Sequence, residues 1–185
     1  MDVLTLAAAC GADVDPVTTA AIVKLESGYQ PLVIRDNTLK LTLRARTPAE
    51  AVATVDTLTR RGHRLAIGLM QVTTPWAVRL NLPPAALLDA CTNIGVGTWI
   101  LTRNYRQCGS IPRSADRLSC ALSAYWSGNG RTGGAYVNAV SAGAGSPLRV
   151  EETPGVSDGL LGSDTGSRNR RRVGSAAHGF DFGRR

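Results

Sequence analysis

The rhythm of apolar and polar positions along this 185-residue chain changes several times, and Pro or Gly marks most of the changes. The run Val3 to Cys10 (VLTLAAAC) is apolar. It falls far short of the roughly 20 residues that a bilayer-spanning helix needs. Asp2 also stands where a signal peptide would carry Lys or Arg. The run therefore reads as a first helix in preference to a truncated signal segment. Asp15-Pro16 joins an N-cap acceptor to Pro at the first helical position. The helix VTTAAIVKLES then stops at Gly28, a natural left-handed terminator. LVIRDN is extended, and in TLKLTLRAR the residues Leu39, Leu41 and Leu43 alternate with polar ones, which predicts a half-buried strand. Thr47-Pro48 opens a further helix that ends at Gly62, LAIGLMQV is extended or turning, and Thr74-Pro75 begins the next helix.

Pro83-Pro84 turns the chain into AALLDACTNIGVGTWILTRNYRQC, which is largely helical. Ser114 to Trp126 forms another helix, broken at Ser127-Gly128-Asn129-Gly130, and a last short one covers GAYVNAV. Beyond Ser141 the chain turns to Gly, Ser, Pro, Asp and Arg without periodicity. The expected division is a folded domain over residues 1–140 and a disordered tail over 141–185 that carries Arg168 and Arg170 to Arg172. The fold class is α+β, mostly helical with a small β element.

Composition narrows the partners. Hydrophobic residues make up 43% of the chain but aromatics only 5%, so the core must be built from Ala, Leu, Val and Ile. A net charge of +7 favours a polyanion: nucleic acid, anionic lipid or cell-wall polymer. No motif for specific nucleic-acid recognition accompanies it. The four cysteines, Cys10, Cys91, Cys108 and Cys120, form no C-x-x-C pair, and the two histidines, His63 and His178, stand isolated. No metal site is expected from that spacing. Two disulfides in an oxidising compartment and four reduced core cysteines both remain open at this point.

Glu26 is the carboxylate that physics singles out. Ile22 and Val23 precede it by three and four residues on the same helical face, so it emerges from an apolar stripe. It also sits at the negative end of the helix dipole, where a second negative charge is poorly held. Both features favour retention of a proton, as an acid that protonates a departing glycosidic oxygen requires. The plainer alternative is a surface Glu at a frayed helix end.

The surrounding segments change that balance. AAIVKLESGYQP resembles the first motif of the lytic transglycosylases, in which Glu-Ser ends a buried helix. Gly68-Leu69-Met70-Gln71 matches their Gly-Leu-Met-Gln motif, and Ala124-Tyr125 their Ala-Tyr motif, although Trp126 stands where many members carry Asn. Asp89-Ala90-Cys91-Thr92-Asn93-Ile94 is similar to the Asp-Pro-Cys-x-Asn-Ile stretch of the secretion-associated branch, with Ala in place of Pro. The insertion from Asp36 to Ile67 and the segment SAYWSGNGRTGGAYVNAV fit the same branch. Over roughly residues 10 to 140 the chain thus resembles the type IV secretion-associated lytic transglycosylases of Gram-negative bacteria, and the four motifs stand in the right order.

That resemblance implies a lysozyme-like fold and cleavage of peptidoglycan glycan strands without cofactor, with Glu26 as the sole acid and later the base. It implies a periplasmic site of action, with any export signal removed or another route taken. Ser27 would brace the helix end, Gly68 would let the glycan approach the backbone, and Gln71 would hydrogen-bond sugar. Tyr125 would bring its hydroxyl near Glu26, and Trp126 would offer a stacking face. Met70 would fill core more than touch ligand, as would Trp76 and Trp99. Asn93 would cap a buried backbone group or touch substrate, the former being favoured. His63, with no acid in view, would be structural. Cys10 would pair with Cys91, leaving Cys108 to Cys120, and the arginine tail would contact secretion components. A hydrolytic muramidase and a non-catalytic wall-binding module on the same fold are the rivals.

Overall fold

The computed structural model describes residues 2–11, 13–111 and 114–150. Their elements run α1 (Val3–Cys10), α2 (Pro16–Ser27), β1 (Val33–Asp36), β2 (Leu41–Arg44), α3 (Pro48–Arg60), β3 (Leu65–Ile67), β4 (Val72–Thr73) and α4 (Thr74–Arg79). A 3-10 turn (Pro84–Leu88), α5 (Ala90–Gln107), α6 (Ser114–Ser127) and α7 (Gly134–Ala144) follow. No helix among the described residues is long and apolar enough to cross a membrane.

The helix starts follow from local chemistry. Asp2 Oδ1 accepts from the Leu4 and Thr5 amides, and Asp15 Oδ1 accepts from Val17 N at 2.8 Å. Both satisfy amide groups that a helix N-terminus leaves without partners. Thr47 Oγ1 accepts from Glu50 N, and the Glu50 carboxylate reaches back to Arg46 N at 2.8 Å. Helix α2 is the centre of the molecule, buried from Thr18 to Val23 and again at Glu26 and Ser27, and open to solvent only at Lys24 and Leu25 in that stretch. It packs against α1 on one side and α7 on another, while α5 packs against α1 and α6. Ile22, Ile34, Leu65, Ile67, Met70, Ile94, Leu101 and Leu122 meet in one fully buried core.

The strands form one antiparallel sheet in the order β2-β1-β3-β4. Ile34 lies opposite Leu43 on one side and Ile67 on the other. The expectation for β2 was half right. Its pairing is regular, but it begins only at Leu41: Leu39 falls in the turn before it and is 54% exposed, and Leu41 is 52% exposed because an edge strand beyond β1 has no layer covering it.

Both disulfides are formed. Cys10–Cys91 joins the end of α1 to the start of α5 with Cα atoms 5.3 Å apart, and Cys108–Cys120 joins α5 to α6 at 6.2 Å. The pairing agrees with the one implied by family resemblance.

The folded part continues past residue 140. Helix α7 runs on to Ala144, Val150 pairs with Val14, Asp15 N donates to Arg149 O, and Arg149 N donates to Thr18 Oγ1 at 2.9 Å. The last stretch thus clips the start of α2. The expected tail from 151 onward, with its arginine cluster, lies outside the described residues. A chain ending at Val150 is expected to melt like the full chain. One ending at Val140 loses these hydrogen bonds and the last turn of α7, about 2 kcal/mol at roughly 1 kcal/mol per bond. Its melting temperature should fall by about 6 °C, at roughly 2–4 °C per kcal/mol for a domain of this size. Thermal unfolding of the two truncations checks this, and equal melting would place residues 141–150 outside the stable unit.

Candidate active site

The site is assembled on the end of α2 and the loop between β3 and β4. Gly28 ends α2 in a left-handed conformation, φ 59°, and its amide bonds Lys24 O. This holds the last helical turn intact and fixes Glu26 just before the chain departs. Glu26 is 6% exposed, and the Tyr136 hydroxyl donates to its Oε1 at 2.9 Å. Ser27 Oγ donates to Val23 O at 3.1 Å within the same helix, consistent with a brace.

Gly68 to Gln71 forms the hairpin loop between Ile67 and Val72. A loop at the surface would hydrate its polar groups, but Leu69, Met70 and Gln71 are buried, so protein groups must satisfy them. Asn93, fully buried in the first turn of α5, does most of this. Its Oδ1 accepts from Met70 N at 2.7 Å, and its Nδ2 donates to Ile67 O at 2.8 Å and Leu87 O at 2.7 Å. Tyr125 OH donates to Met70 O at 2.7 Å. Gln71 Nε2 donates to Gly68 O at 2.9 Å and Val33 O at 3.3 Å. Gln71 itself has φ 51°, a left-handed conformation that a non-glycine residue adopts only when its surroundings enforce it.

This geometry revises several expectations. Internal packing by itself requires glycine at position 68. Its φ is 78°, and a Cβ there would lie 2.6 Å from Leu87 O and press on the Asn93 amide. Met70 is core: it is fully buried, and a Cβ on Gly97 would lie 2.5 Å from its sulfur. Asn93 has both ends of its amide bonded to backbone. Gln71 Oε1 is buried without a hydrogen-bond partner among the described residues, but the residue is fully enclosed.

A cleft of about 350 Å³ runs over this loop. Gln71, Tyr125 and Trp126 line it, as do Trp76, Asn37 and three arginines, Arg64, Arg79 and Arg103. Trp76 is thus a wall of the cleft as well as packing, half-buried, against the core. Glu26 is not among the residues that line the cleft and is linked to it through Tyr136, whose ring stacks at 22° on that of the lining residue Trp126 with centroids 6.2 Å apart. Tyr136 is the residue that sequence reading passed over. Its only signal was membership of the segment GAYVNAV within the last resembling stretch.

Among the described residues no carboxylate lines the cleft. Asp36, the last residue of β1, is 1% exposed and fully engaged. Its Oδ1 accepts from Thr38 N and Leu39 N, and its Oδ2 faces His63 Nδ1 at 2.6 Å. Burial alone would raise the Asp36 carboxyl. The hydrogen bonds from His63, Leu39 and Thr38 outweigh it and hold the group below the usual range. His63, expected to lack an acid partner, therefore has one. The pair pins the tip of the β1–β2 hairpin beside Arg64, whose backbone bonds Asn37 N and Thr38 Oγ1.

Tyr136→Phe is expected to lower kcat by about tenfold with KM little changed, on the scale of one lost hydrogen bond, roughly 0.5–1.5 kcal/mol. Steady-state kinetics on soluble glycan fragments check this, and an unchanged kcat would remove Tyr136 from the site.

The family model for the transglycosylase SLT domain matches residues 4–143. Protein virB1 of Rhizobium radiobacter is 34% identical over 170 residues, which cover 88% of this chain and 71% of that protein. Type IV secretion system protein virB1 of Brucella abortus biovar 1 is 33% identical over 162 residues, 84% of this chain and 63% of that one. Protein virB1 of Agrobacterium fabrum is 34% identical over 120 residues, 65% of this chain and 49% of its own length. No solved structure matches the chain.

Proposed function

The chain belongs to the transglycosylase SLT family of peptidoglycan lytic transglycosylases, and from that premise we propose that it cleaves the β-1,4 bond between N-acetylmuramic acid and N-acetylglucosamine by a single-carboxylate route. The observation that carries the reading is Glu26, nearly buried and held by Tyr136, whose ring stacks on the Trp126 wall of a cleft that no carboxylate lines among the described residues. Glycosidases that work with water place two carboxylates across the bond. Here the Glu26 proton passes to the bridging oxygen as the bond to the muramic anomeric carbon breaks. The substrate's own N-acetyl group supports the positive charge. The muramic 6-hydroxyl oxygen then bonds the anomeric carbon and its proton returns to Glu26. The product is a 1,6-anhydro sugar, no water is consumed, and the acid is restored.

Tyr136 orients the carboxyl. Tyr125 fixes the loop under the cleft and Trp126 supplies an apolar wall, in keeping with the aromatic surfaces that sugars pack on. Mass spectrometry of fragments released from purified sacculi tests the outcome. Fragments ending in an anhydro sugar, lighter by one water, are expected. Hydrated ends would turn the reading to a hydrolytic muramidase, and no release at all to a wall-binding module. The disulfides suit an oxidising compartment, and the relatives named for type IV secretion suggest the place: periplasmic peptidoglycan, opened locally for such a machine. The arginine tail would tether the enzyme to the wall or to that machine.

A further inference from the structure

A glycan of N-acetylated sugars carries no charge along its backbone, yet three arginines line the cleft and, among the described residues, no acidic one does. Among the described residues no carboxylate forms an ion pair with Arg64, Arg79 or Arg103. Like charges gathered in a cleft with low-dielectric walls focus a positive potential there. Two of the three are also held in place. The guanidinium of Arg79 lies 4.9 Å from the centre of the Trp76 ring and that of Arg103 5.5 Å. Trp76 is in turn fixed by an edge contact with Trp99, centroids 6.0 Å apart. Arg103 Nη1 further donates to Gln107 Oε1 at 3.4 Å. Side chains so restrained lose less freedom when they bind, and the guanidinium fork matches a carboxylate in shape.

We propose that Arg79 and Arg103, braced on Trp76, form a carboxylate subsite in the cleft that engages the peptide stems of peptidoglycan. The inference rests on the peptidoglycan reading above. Stems hang from every muramic residue, so a strand lying in this cleft brings their carboxylates to its walls. They are the anionic part of an otherwise neutral substrate. Arg64, on the hairpin side of the same cleft, adds to the field without the aromatic brace. The subsite makes the enzyme prefer peptide-bearing strands over naked ones.

The test compares kcat/KM of the full chain on peptide-bearing strands and on the same strands stripped by an amidase. The wild type is expected to favour peptide-bearing strands by roughly tenfold, the scale of a bidentate charge-assisted pair. In Arg79→Gln/Arg103→Gln the ratio should fall to about one, through KM. Arg79→Gln alone, an exposed change that the fold tolerates, should lower the ratio part of the way. Arg60→Gln/Arg61→Gln removes the same charge from exposed positions outside the cleft and should keep the ratio. A wild-type ratio near one, a ratio that survives in the double variant, or an equal loss in the Arg60/Arg61 control each overturns the subsite. A wild type that cleaves neither substrate fails the peptidoglycan reading itself, which the other outcomes leave standing.

Discussion

Glu26→Gln is expected to reduce release of soluble fragments from sacculi by about 10³-fold, within the roughly 10²–10⁴-fold that general acid catalysis contributes. The amide keeps the shape of the carboxyl and can still accept from the Tyr136 hydroxyl, so the melting temperature should hardly move. What it cannot do is deliver a proton to the leaving oxygen. Among the described residues no carboxylate lines the cleft, so none there is placed to take over. The comparison with Tyr136→Phe is informative, because that change leaves the proton donor present and only loosens it. Near wild-type release by Glu26→Gln, with folding confirmed by thermal unfolding, would sink the assignment of Glu26.

Local chemistry was legible in the sequence, and direction in space was not. Asp15, Pro16 and Gly28 mark the bounds of α2 because capping depends on residues within a few positions of one another. Burial of Glu26 was legible for the same reason, from Ile22 and Val23 one turn earlier. Gln71 and Asn93 stood out as polar residues in apolar surroundings. Spacing could not tell whether their amides face a ligand or the backbone. Both amide nitrogens face backbone, because a buried hairpin loop between β3 and β4 needs its carbonyls satisfied. Tyr136 was illegible. It stands 110 residues from its carboxylate partner, in a helix of small residues with no other chemical signal.

The end of the domain was misplaced for a related reason. Ser141-Ala142-Gly143-Ala144 carries a helix-weakening Gly143 and no large apolar residue, so no apolar stripe continued α7 past Val140. The packing of α7 on α2 supplies what propensity lacks, and Val140 is fully buried there. Similarly, alternation at Leu39, Leu41 and Leu43 reports a strand correctly but says nothing of whether another layer covers it. These misses share one origin: each depends on a partner distant in sequence.

The second large effect should come from the long-range disulfide. Cys10→Ala/Cys91→Ala is expected to lower stability by about 4 kcal/mol, the loop-closure entropy that a crosslink of this span removes from the unfolded chain. The bridged residues are 81 apart in sequence, against 12 for Cys108–Cys120, which should contribute about 3 kcal/mol from the same source. Cys91 is exposed and Cys10 only half-buried, so little packing is lost with the bridge and the entropic term dominates. At roughly 2–4 °C per kcal/mol the melting temperature should fall by about 12 °C. Activity should fail over the same interval and not at low temperature, because the bridge touches the site through the packing of α1 on α2 and the first turn of α5, both of which the folded domain keeps. There Cys91 precedes Asn93, whose amide holds the Gly68–Gln71 loop. Loss of the crosslink leaves those hydrogen bonds in place while the domain is folded. Peptide mapping without reduction, followed by melting with and without dithiothreitol, checks the pairing and its worth together. Four free thiols, or melting indifferent to the reductant, would overturn the stabilising role and the oxidising compartment along with it.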